Sequence, residues 1–256
     1  MSPRRALLSI GCFVVVASAA HPVGAGPADV DVSAYGGSVP GRWTCGPGTD
    51  VKYGGVGAQA RVALPTEGQP PSLHADDRRG LAVTVRGAIE ARSYTLTTCD
   101  QGTTCQTPPD APAGGGAVNV GWDGATIGLH GGVSASQIYD RPEARSHRFQ
   151  VLPEAHLRVG PRNVFWGEGG IGSYGISTVL RPGLYVGAGL PVGDVVVLTA
   201  HAGVHRNFEK ESGGRGEMAG HVRLGEARLG AALALQWQRD GAGARPEAAL
   251  TGGYSF

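Results

Sequence analysis

The chain has 256 residues and a formal charge of +1, with 17% charged residues, 6% aromatics and 44 glycines. Its lysines are Lys52 and Lys210 alone, and no basic face forms, so nucleic acid is not expected as a partner. After residue 20 no stretch is long and apolar enough for a membrane-spanning helix, so a form that crosses a membrane has to be a closed barrel.

Arg4 and Arg5, the apolar run that follows, and Ala17-Ser18-Ala19 read as a secretory signal peptide over residues 1–20. Its removal leaves 20 basic and 21 acidic groups. Residues 21–28 read as an N-terminal tail, and residues 29–256 as one β domain. An exported chain meets an oxidising compartment. There Cys99 and Cys105, which close a small loop, are the expected disulfide and leave Cys45 without an assigned partner. Three scattered thiols lack zinc spacing.

Period-two alternation then dominates. Residues 29–34 alternate, and 37–50, rich in Gly and Pro, read as a loop. Residues 51–64 set Val56, Ala58, Ala60, Val62 and Leu64 against Tyr53, Gln59 and Arg61. After a polar stretch over 65–79, residues 81–98 set Val83, Val85, Ile89 and Ala91 against Thr84, Arg86, Glu90 and Arg92. At about 3.4 Å per residue this run exceeds a crossing of roughly 9–11 residues, so part of it stands clear of a bilayer. Residues 99–116 read as a loop. The apolar phase then flips between Val118, Val120 and Trp122 and Ile127, Leu129 and Val133. An Asp123-Gly124 hairpin turn produces such a flip and is favoured over a bulge in one long strand.

Beyond a polar loop over 136–146, residues 147–159 set Phe149, Val151, Ala155, Leu157 and Val159 against Arg148, Gln150, Glu154, His156 and Arg158. Strands follow over 164–173, 179–190, 196–204, 218–224 and 229–237. They are separated by short turns at 160–163, 191–194 and 225–228 and by a charged loop at 207–216. The final twelve residues alternate as well: Ala248, Leu250, Gly252, Tyr254 and Phe256 share one face.

A last strand ending on Phe256, with Tyr254 two residues earlier and Leu250 in phase, resembles the closing strand of bacterial outer-membrane β-barrels. The resemblance implies an all-β fold, an antiparallel up-and-down transmembrane barrel of 10–12 strands, with twelve favoured. It also implies location in the outer membrane, outer-membrane lipid as the surrounding partner, and Leu250, Tyr254 and Phe256 as a signal for the barrel-assembly machinery. Short and long connections alternate, as between periplasmic turns and external loops, which places the C-terminus in the periplasm. Oligomeric state has no signature in the sequence.

Residues able to carry chemistry are few. Gly167 to Gly172 match G-x-G-x-x-G, but no helix-like pattern follows, and barrel glycines explain them better than a dinucleotide site. His201 and His205 would share a strand face about 13 Å apart, too far to chelate one metal. Neither His130 and Ser134 nor Ser146 and His147 make a nucleophile–base contact by local geometry. No cofactor, metal or catalytic residue is expected. Arg61, Arg86, Glu90, Arg92, Arg148, Glu154, His156 and Arg158 are the candidate lumen residues. They describe a narrow passive channel or a structural, surface-interacting barrel. The alternatives are an outer-membrane lipid-modifying enzyme and a soluble secreted β-sandwich, with the apolar rows buried against each other.

Overall fold

The computed structural model describes residues 28–43, 46–64, 79–96, 111–141, 146–206, 212–238 and 243–256. Residues 1–20, most of the 21–28 tail, and Cys45, Cys99 and Cys105 lie outside the described residues, and so do the signal-peptide and disulfide expectations. The described residues form twelve antiparallel strands in one closed barrel. They are β1 (Ala28–Trp43), β2 (Gly46–Ala63), β3 (Gly80–Leu96), β4 (Ala111–Asp123), β5 (Ile127–Arg141) and β6 (Ser146–Val159). β7 (Trp166–Gly172), β8 (Gly183–Val192), β9 (Val196–Arg206), β10 (Ser212–Leu224), β11 (Ala227–Gln238) and β12 (Arg245–Ser255) complete the circle. Each strand pairs with its neighbours in sequence, and β12 closes on β1 from Asp29 opposite Ser255 to Gly37 opposite Glu247.

The pleat sorts side chains as the alternation requires. Met218, Leu233 and Leu250 project outward and are 73%, 70% and 69% exposed, while Glu90 and Glu247 on the opposite face are 3% and 2% exposed. Trp122, Phe165, Tyr254 and Phe256 add exposed aromatics near the end that carries the short turns and both ends of the strand circuit. The Tyr254 and Phe256 rings meet edge to face at 5.0 Å. A two-layer sandwich is excluded, because apolar rows face out and charged rows face in around a sheet with no free edge.

Four boundaries differ from the sequence reading. Strands β1, β2, β5, β6 and β10 extend well into the stretches expected to be loops over 37–50, 136–146 and 207–216. Beyond the apolar rows a strand no longer needs one apolar face, so the ladder continues after the alternation has stopped. The hairpin between β4 and β5 exists, but Ala125 and Thr126 form its tip. Gly124 N–H donates to Ile127 O at 2.7 Å, and Trp122 stands opposite Leu129. Asp123 is held inside by arginines and is not at the tip. The Gly-rich block 111–116 is part of β4, paired to both neighbours as far as Gly115 and Gly116. Finally, β8 begins at Gly183, so Val179 and Leu180 are not strand residues. The last two differences share one cause, which lies inside the barrel.

Candidate functional site: the obstructed lumen

β7 has only seven residues, whereas β2 and β3 have 18 and 17. At this low point of the wall the connection to β8, residues 173–182, folds inward and crosses the lumen. Gly172 makes the bend with φ +127°, a left-handed conformation in which a Cβ would also strike the Glu154 side chain. Glu154 Oε1 then accepts from both the Ser173 backbone N–H and Oγ–H, each at 2.9 Å. Arg86 Nη1 donates to Ser173 Oγ at 2.8 Å and to its carbonyl oxygen. A 3-10 turn over Ile176–Thr178 follows, with Thr178 Oγ1–H donating to Gly175 O at 2.8 Å.

This plug rests on a bed of very small residues. Ile176, Val179 and Leu180 are buried, the last two with Ala88 and Ala113. A Cβ on Gly115 would lie 2.8 Å from Leu180 Cδ2, and one on Gly57 would overlap Ile176. The inward glycines and alanines of β2 to β4 are therefore the floor on which the plug packs. Polar clasps pin its far end. Arg181 Nη2 lies 2.6 Å from Glu90 Oε2, and Arg92 Nε donates to Glu90 Oε1 at 2.7 Å. The Arg181 guanidinium also stands 4.1 Å from the centroid of the Tyr53 ring. Across the lumen, Arg215 Nη2 donates to Ser177 Oγ at 3.2 Å.

The plug divides the interior. On the turn side lies a vestibule of about 870 Å³. Its mouth is at the turn residues Gly193, Asp194 and Gly225, its floor is Tyr174 to Ser177, and Asp31, Glu168, Glu217 and Arg228 line its walls. On the other side side chains fill the bore: Tyr35, Tyr53, Glu90, Arg92, Gln236 and Glu247 are all buried. Tyr53 O–H donates to Glu247, and Arg215 Nη1 stands 2.7 Å from the same carboxylate. A solute entering from the turns therefore meets a hydrophilic chamber and then a blocked passage.

Of the sequence-derived lumen residues, Arg61, Arg86, Glu90, Arg92, Glu154, His156 and Arg158 point inward, while the Arg148 side chain lies outside the described residues. They gather in three groups. Arg61 and Arg158 meet at Asp123, the latter with Nη2 to Oδ1 at 3.2 Å. Arg86 and His156 flank Glu154, with His156 Nδ1 2.8 Å from Tyr185 Oη. Glu90 and Arg92 belong to the plug clasp. Sequence reasoning missed Asp123, placed in a turn; Glu168, hidden in the G-x-G-x-x-G run; and Ser173, Ser177 and Arg181, read as strand or turn. The available signal was the in-phase Gly57, Ala88, Ala113 and Gly115: side chains this small leave space that something else must fill.

The other motifs resolve into barrel wall. G-x-G-x-x-G is β7, where Glu168 Oε1 lies 2.6 Å from His201 Nε2, and His201 stacks on Tyr174 with centroids 4.5 Å apart. His130 pairs with Asp123 at 2.9 Å. Among the described residues no cluster of three or more His, Cys, Asp or Glu side chains is placed to hold a metal.

No protein-family model and no curated protein matches the chain. Solved structures do. The translocator domain of the autotransporter NalP from Neisseria meningitidis superposes with a TM-score of 0.53 at 14% identity, over 98% of this chain and 96% of that one. An outer membrane channel from Pseudomonas putida F1 superposes with a TM-score of 0.51 at 12% identity, over 93% and 97%. The fold is that of a bacterial outer-membrane β-barrel. In a barrel of this fold an exposed apolar belt is the surface suited to lipid, and the closed ladder satisfies the backbone without water.

Proposed function

We propose that the barrel is a narrow passive channel for small hydrophilic solutes, shut in the conformation described by residues 173–182 and conducting when that segment leaves its bed. The carrying observation is a connection folded into the lumen and clasped there, at the end of a hydrophilic vestibule. A barrel serving only as a scaffold has no use for a chamber that ends on a separately tethered segment. Walls with acidic and basic groups interspersed favour weak ion selectivity. The description of the Pseudomonas putida structure as a channel supports the reading. With the C-terminus in the periplasm, the vestibule opens to the periplasm and the plug faces the outside.

The test is conductance in planar bilayers. The intact barrel should open in brief, interrupted events. A variant in which residues 174–181 are replaced by two glycines should conduct steadily, with heat-modifiable gel migration showing that it is folded. Folded protein silent in both forms would reject the channel and leave a structural barrel.

A further inference from the structure

Beside the vestibule lies a recess of about 100 Å³, lined by Arg61, Arg86, Arg158, Arg162, His130 and His156. That is the room of about three waters. Arg162, Glu168 and Tyr174 line both spaces, so the recess opens off the vestibule rather than being sealed in the wall. Its described lining is rich in cations. Four guanidiniums face it, while Asp123 and Glu154 stand behind the lining and Glu168 is the acid in it. Glu168 is already engaged by His201 at 2.6 Å. Among the described residues, four guanidiniums thus meet three carboxylates at the recess.

The two backing carboxylates position the cations. Asp123 draws Arg61, Arg158, Arg162 and His130 together, the last three at 3.2, 3.5 and 2.9 Å. Glu154 holds His156 at 3.3 Å and lies 3.9 Å from Arg86, and it accepts from Asn119 Nδ2 at 2.6 Å. The result is a ring of planar donors already oriented around a small space, an arrangement that suits the oxygens of a compact oxyanion.

We propose that this recess is a binding site for a small oxyanion of the phosphate type, entering through the vestibule. The site goes beyond the channel reading and does not depend on movement of the plug. It predicts that phosphate, or the phosphate group of a small metabolite reaching in from the vestibule, is held at the wall between β2 and β7.

The probe is inorganic phosphate, titrated calorimetrically at low salt into the full-length barrel folded in detergent. Saturable binding of one phosphate per chain is expected. Arg61→Gln and Arg162→Gln should each weaken it by about tenfold, the loss of one charged hydrogen bond. Both variants leave Asp123 with its remaining cations, and heat-modifiable migration checks that they are folded. Arg223→Gln is the control, because Arg223 lines the vestibule but not the recess. It should leave the affinity unchanged. Absence of saturable heat, or an equal loss in Arg223→Gln, overturns the assignment.

Discussion

Glu90→Gln is the sharpest perturbation of the plug. Glu90 holds Arg181 at 2.6 Å and Arg92 at 2.7 Å, and all three side chains are buried. Glutamine keeps the shape and an acceptor but removes the charge that offsets two guanidiniums. Removing one partner of a buried ion pair costs about 3–5 kcal/mol. Docking of residues 173–182 cannot absorb that. Ordering ten residues opposes docking by roughly 10–20 kcal/mol. Burying Ile176, Val179 and Leu180 contributes roughly 4.5–9 kcal/mol. Four polar contacts to charged groups, namely Arg181 with Glu90, Arg86 and Glu154 with Ser173, and Arg215 with Ser177, add roughly 6–12 kcal/mol. The mid-range values nearly cancel, so a loss of 3 kcal/mol shifts the docking equilibrium by more than about a hundredfold. Single-channel recording should show sustained openings in Glu90→Gln where the unaltered barrel opens briefly. Arg181→Met should act more weakly, since Glu90 then still pairs with Arg92. A folded Glu90→Gln barrel with unaltered conductance would refute the clasp.

Gly115→Val fills the bed beneath Leu180, and should raise conductance while lowering stability in urea by about 1–3 kcal/mol. Leu233→Arg puts a charge on the outer belt at a site 70% exposed, and should destabilise the barrel in liposomes by about 2–4 kcal/mol. An unchanged urea midpoint there would contradict lipid contact. Deleting Phe256 removes a ladder residue whose N–H donates to Ala28 O at 2.8 Å, and it should reduce the folded, heat-modifiable fraction in outer-membrane preparations. Non-reducing electrophoresis after thiol alkylation should show one intramolecular disulfide, lost on Cys99→Ser or Cys105→Ser.

The wall of the barrel was legible in the sequence because lipid enforces a strict rule on it. Outward positions such as Val120, Leu157, Val186 and Leu233 must be apolar, and their spacing by twos marks strand, face and phase together. Past the bilayer the rule lapses, which is why β1 runs to Trp43 and β5 to Arg141 without an apolar row to announce it. The interior obeys a different constraint, that of pairing partners far apart in the chain. Arg181 and Glu90, 91 positions apart, carry no local signature of their contact. Residues 173–182 were the least legible part. Leu180 continues the apolar phase of β8, and only the missing volume at Gly57 and Gly115 tells against extending the strand.

The joint between β1 and β12 is reinforced from within. Arg228 reaches Asp29 and Asp31, 199 and 197 positions away, and Glu247 is grasped by Tyr53 across 194. These attachments form only after the whole polypeptide is present, which makes closure a late and slow event. Until then a half-built sheet carries two naked borders able to recruit another molecule's strand. Folding of this cylinder is therefore governed by how long its first strand is shielded while it waits for its last.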